Sequence, residues 1–125
     1  MNIEINENDL RVDFHEIYFD YNIGQIDIMD DQIIVMLKIP NNAEETANIF
    51  CVDFEANILW QIEQSGEYFK RTGKTKAAGS SMKYTGIRIR KSDGLLQVND
   101  FAGRRFIVDP SNGHIIEKIS EGREW

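Results

Sequence analysis

The strongest constraint on this chain is a phrase that it writes twice. Asn48-Ile-Phe-Cys-Val-Asp53-Phe-Glu-Ala-Asn57-Ile-Leu-Trp60-Gln-Ile-Glu63 aligns without a gap with Arg104-Arg-Phe106-Ile-Val108-Asp109-Pro-Ser-Asn112-Gly113-His-Ile-Ile116-Glu-Lys-Ile119. Each copy reads as strand, tight turn, strand: short runs of β-formers flank a segment opened by Asp, a residue that turns recruit. The alignment sets Phe50, Val52 and Leu59 against Phe106, Val108 and Ile115, which predicts a shared core pattern. Asn112-Gly113 makes the second turn the stronger one, because it accepts positive φ cheaply. Asp53 and Asp109 recur at the same place. Paired catalytic carboxylates would look like this, but the cheaper explanation is an Asx-type turn in each copy, the side chain bonded to its own turn backbone.

The rest of the chain carries the same period. Ile3 and Ile5, then Leu10, Val12 and Phe14, alternate with polar residues and predict strands with one buried face. Ile17, Phe19, Tyr21 and Ile23 continue on one parity, as for a single strand. Ile26 and Ile28 lead to the polar break Met29-Asp30-Asp31-Gln32, a hairpin turn. Ile33 to Ile39 is apolar on both parities, as in a strand covered on both faces, and Pro40 closes it. Residues 41–48 read as a loop. Residues 64–83 hold three glycines, three serines and much of the basic charge, which predicts a long exposed loop anchored by Tyr68 and Phe69. Tyr84 to Arg90 and Leu95 to Asn99 are strands about a turn at Ser92-Asp93-Gly94. The expectation is one all-β domain over residues 1–125. It would have about eight to ten antiparallel strands, sandwich-like or partly propeller-like, with one long basic loop.

Charge is segregated along the chain. Residues 1–69 hold fifteen acidic residues against Arg11 and Lys38, whereas residues 70–91 hold eight basic residues and no acid, within a total of −7. An acidic body with one basic segment bears on partners rather than on fold. Lys70, Arg71, Lys74 and Lys76, with Tyr68, Phe69 and Tyr84 nearby, have the composition of a nucleic-acid contact. The acidic body would repel a phosphate backbone over a Debye length of about 8 Å, so no direct nucleic-acid partner is expected. No apolar run approaches the roughly 20 residues of a membrane span. The acidic amino end is unlike a signal peptide, and a cytoplasmic, monomeric protein is expected. The single cysteine, Cys51, lies in an apolar strand and reads as a small buried hydrophobe.

Several motifs suggest chemistry that their spacing does not support. Arg71-Thr-Gly73-Lys74-Thr75 resembles the end of a phosphate loop, but six residues rather than four separate Gly66 from Gly73. His15 and His114 lie in separate strands, and with one cysteine a zinc site would need carboxylates for most of its ligands. Asp27, Asp30 and Asp31 lack the ligand spacing of a calcium loop. Trp60 alternates as a core residue. No catalytic residue, metal or cofactor is expected.

The two hairpins, Ile49 to Trp60 and Phe106 to Ile116, resemble the blade hairpin of quinoprotein-type β-propellers, in which a strand ending in Asp turns into a strand bearing Trp. Together with Tyr84-Thr-Gly86, they also resemble small single-domain bacterial proteins often associated with immunity to polymorphic or contact-dependent toxins. That resemblance implies a non-enzymatic protein that binds and neutralises a cognate toxin such as a nuclease. The partner surface would comprise Asp20, Asp27, Asp30, Asp31, Glu44 and Glu45, with Lys70, Arg71, Lys74 and Lys76 meeting an acidic patch. The alternative is a small anion- or ligand-binding regulatory domain, with a pocket at Trp60 or in the basic loop.

Overall fold

The computed structural model describes residues 1–73 and 81–120. Among them are eleven strands and one helix. The strands form three antiparallel sheets, each a simple up-and-down meander in chain order. The first holds β1 (Ile3–Asn6), β2 (Asp9–Val12) and β3 (His15–Tyr18). The second holds β4 (Ile23–Met29), β5 (Gln32–Leu37), β6 (Ile49–Asp53) and β7 (Ile58–Gln61). The third holds β8 (Tyr84–Ile89), β9 (Leu96–Asp100), β10 (Arg105–Val108) and β11 (Ile115–Ser120). The all-β single-domain expectation is correct, with more strands than the eight to ten expected.

The second sheet is the middle layer, and its sequence says why. On β5, Ile33, Val35 and Leu37 face one cluster with Leu10, Val12 and Phe19 of the first sheet region. Ile34 and Met36 face the other, with Leu96, Val98, Phe106 and Val108 of the third. Period-2 alternation with both parities apolar is how a strand buried on two faces is written.

Residues 17–23 do not make one strand. β3 ends at Tyr18 and β4 begins at Ile23. Between them, Phe19 N–H donates to the Asn8 carbonyl at 2.9 Å and Asn8 Nδ2 donates back to the Phe19 carbonyl at 2.8 Å. These bonds hold the crossing from the first sheet to the second. The burial parity still holds, since Ile17, Phe19, Tyr21 and Ile23 all pack into the cluster of Leu10, Val12 and Ile33.

The expected loop over 64–83 is instead entered by a helix, α1 (Ser65–Thr72). Gly66 lies in its first turn, where the Ser81 hydroxyl accepts its N–H at 2.9 Å. Gly73 ends it with φ of 64° and an N–H bonded to Phe69 O, the left-handed stop that glycine supplies. Glu67 in the first turn and Lys70 and Arg71 in the last complement the helix dipole. Tyr68 and Phe69 are core residues packed around Phe106, not loop anchors. The glycines bracket the helix rather than break it.

The repeat is real but slips by one. In both hairpins the pairing shifts at the same place: Cys51 pairs with Trp60 and Val52 with Ile58, while Ile107 pairs with Glu117 and Val108 with Ile115. The structural counterpart of Ile115 is therefore Ile58, and Leu59 is 46% exposed rather than core. The extra residue belongs to the second turn, which closes Asp109 N–H onto His114 O where the first closes Asp53 N–H onto Asn57 O. Trp60 is buried as expected, and its Nε1 donates to Pro110 O at 2.9 Å, so the first hairpin's indole sits on the second hairpin's turn.

Candidate functional surface

The residues expected to bind a partner fall at opposite ends of the middle sheet. Asp30 and Asp31 form the two-residue tip between β4 and β5. Asp20 precedes β4, and Glu44 and Glu45 lie on the loop after β5, so they occupy the other end, about 17 Å away along a six-residue strand. The two groups therefore do not form one contiguous contact face. Asp27 also departs from expectation: it shares a strand parity with Gln25 and Met29, which face the third sheet, and its Oδ1 accepts the Ile28 N–H at 3.1 Å.

The basic residues divide similarly. Arg71 is committed to the fold, with Nε and Nη2 donating to both Glu63 oxygens at 2.9 and 2.8 Å and Nη2 also to Ile115 O. Burial opposes the charge on Glu63, but Arg71 and the Ile115 N–H together hold its carboxyl below the ordinary range. Lys70 is exposed beside Glu67 at 3.7 Å. Lys74 and Lys76 lie outside the described residues.

At the tip end three hairpins converge. Gln32 pairs with Asp53, placing Asp31 beside the β6–β7 tip. Burial first, and then the charges of Asp31 and Asp53, push the Cys51 thiol up to about 12. Asp53 makes the Asx turn expected of it, its Oδ1 accepting the Glu55 and Asn57 N–H groups at 2.9 Å. The Asn57 N–H, and more weakly the nearby His15, hold its carboxyl low. Asp109 does the same with Ser111, whose hydroxyl and N–H lower its carboxyl. In both copies the aspartate side chain thus bonds to its own turn.

His15 follows the β2–β3 tip, Asp13-Phe14. The alternation Leu10, Val12, Phe14 predicts a buried Phe14; the structure leaves its ring fully exposed. The two-residue tip, with Asp13 at φ 53°, turns the chain before Phe14 can continue the buried parity. Phe14 thus stands at the end where Asp13, Asp30, Asp31 and Glu55 are exposed.

A second charged group escaped the sequence reading. On the outer face of the first sheet, Arg11 pairs with Glu16 at 2.5 Å and lies 4.0 Å from Asp9. Burial, then the Glu16 carboxylate, raises the Asp9 carboxyl, whereas Arg11 lowers that of Glu16. Their charges also raise the Tyr18 hydroxyl. The signal was present in strand register, since Glu4, Arg11 and Glu16 form one cross-strand row.

Among the described residues no group of three or more His, Cys, Asp or Glu side chains could hold a metal ion. No helix among them is long and apolar enough to cross a membrane. No curated protein matches the chain. A family model described as Domain of unknown function (DUF7957) matches residues 1–119, and the protein belongs to that family.

Proposed function

We propose that this chain is a non-enzymatic binding protein that docks onto a basic protein partner through its hairpin-tip end, as an immunity protein neutralising a cognate toxin. The observation that carries the reading is Phe14, a fully exposed aromatic among the exposed carboxylates Asp13, Asp30, Asp31 and Glu55. Aromatic anchors that become desolvated on binding supply most of the energy of protein interfaces. Surrounding charge of one sign steers encounter and raises the on-rate more than the affinity. A nuclease toxin, basic because its own substrate is a polyanion, fits that surface. The Asp30-Asp31 tip rests on β5, a strand buried on both faces, so that part of the surface is presented by a rigid support.

The test is titration against the protein encoded by the adjacent upstream reading frame. Phe14→Ala is expected to weaken one-to-one binding at least tenfold, about 1.4 kcal/mol. Asp30→Lys with Asp31→Lys should slow association and flatten its salt dependence. Asp20→Lys with Glu44→Lys, at the far end of the sheet, should leave affinity within about twofold. The opposite pattern would move the docking face to the loop end, and no association at low salt would overturn the immunity reading.

A further inference from the structure

The loop after β5 roofs a cavity of about 240 Å³ whose lining divides by chemistry. Ile39, Pro40, Ala43, Met82 and Phe101 supply an apolar wall, and Asn41, Thr46, Ser81 and Lys83 the polar groups. We propose that it is a binding site for a small organic carboxylate with an apolar body.

Lys83 carries the argument. Its Nζ donates to Ile39 O at 3.0 Å and to Asn41 Oδ1 at 2.6 Å, and lies 5.2 Å from the Phe101 ring centroid. All three partners are neutral, so the ammonium is held in place without being neutralised. An ammonium has three N–H donors and two are used, leaving one for a ligand. Lys83 also lines an adjoining groove with Lys38, one of only two basic residues among the first 69. The two lysines thus border one groove on an otherwise acidic body.

A second observation points to a ligand. The Thr46 hydroxyl is buried and has no hydrogen-bond partner, a cost that native structures rarely carry without a reason. A carboxylate accepts from an ammonium and a hydroxyl together. The apolar wall, including the half-exposed Phe101, calls for a hydrocarbon body, which distinguishes this ligand from a phosphate or sulfate. Few polar groups set in an apolar cavity are the usual form of a small-molecule site.

The test titrates the full chain with benzoate, with neutral benzamide of the same shape, and with sulfate, by calorimetry and by amide NMR. Benzoate is expected to bind saturably with Kd of about 1 mM or tighter, shifting amides of residues 39–46, 81–83 and 101. Benzamide and sulfate should bind at least about tenfold more weakly, and Lys83→Gln should weaken benzoate by at least about tenfold. Thr46→Val, which keeps the side-chain shape, should weaken it about threefold. Should Lys83→Gln fail to fold, the benzoate–benzamide comparison and Thr46→Val decide. No saturable shift, equal binding of benzoate and benzamide, or equal binding of sulfate would overturn the proposal.

Discussion

Gly113 is constrained twice, and only one constraint is visible in its own turn. Its φ of 79° already favours glycine. A Cβ there would also lie 2.5 Å from Cε3 of Trp60, a ring fixed by burial and by its bond to Pro110. Gly94 separates the two effects, since its φ is 69° but no atom lies within 4 Å of a Cβ placed there. Gly94→Ala is expected to cost about 1 kcal/mol, the price of backbone strain alone. Gly113→Ala should cost about 2–4 kcal/mol, strain plus overpacking against the indole. Denaturant unfolding of both variants checks this, and equal losses would mean that the Trp60 contact relaxes freely. The Asn-Gly pair made the turn legible in the sequence. The tryptophan pressed against it was not, because the two are 53 positions apart and no periodicity links them.

At the scale of elements, the sheets are joined by side chains that imitate backbone. Asn48 is 1% exposed; its Nδ2 donates to Leu37 O and Tyr84 O, both at 2.8 Å, and its Oδ1 accepts the Tyr84 N–H at 2.8 Å. Gln25 does the same farther along β8, with Nε2 to Ile87 O at 2.9 Å and Oε1 from the Ile87 N–H at 3.3 Å. Two amides therefore close an edge strand that would otherwise present unpaired groups. Asn48→Leu strands three buried backbone groups, and each costs about 1–3 kcal/mol unpaired. A loss of about 3–5 kcal/mol is expected, with the Tyr84 amide exchanging much faster with deuterium; an unchanged exchange rate would refute the bridge. Helix α1 shows the complementary case. Its start and stop were written in Glu67, Arg71 and Gly73, but eight residues hold too few apolar positions to set helix against loop until Tyr68 and Phe69 meet Phe106.

Across the whole molecule, the charge that marks the surface also sets the response to acid. The carboxyls of Glu16, Glu45, Asp53, Glu63 and Asp109 are all held low by donors, so the folded state binds these protons less readily than the unfolded chain. Their stabilisation is complete above the unfolded values, about 3.9 for Asp and 4.3 for Glu, and is lost as pH falls through the lower folded values. Asp9 acts in the opposite sense: its raised carboxyl adds stability in acid that disappears as pH rises. Glu63→Gln is expected to cost about 2–3 kcal/mol at neutral pH, with the gap to the unaltered protein closing near pH 3. Thermal melts across that range check it, and a gap independent of pH would show that Glu63 acts through packing rather than charge. The sequence by itself determined the all-β class, the doubly covered β5, most turns and the Asx roles of Asp53 and Asp109, because alternation and turn chemistry are local. Tertiary structure alone decided that the acids divide between two ends of one sheet, that Phe14 is exposed, and that Lys83 meets Ile39, Asn41 and Phe101. Each of these depends on how sheets stack and where tips converge, and strand periodicity fixes a residue's face but not which distant element that face will meet.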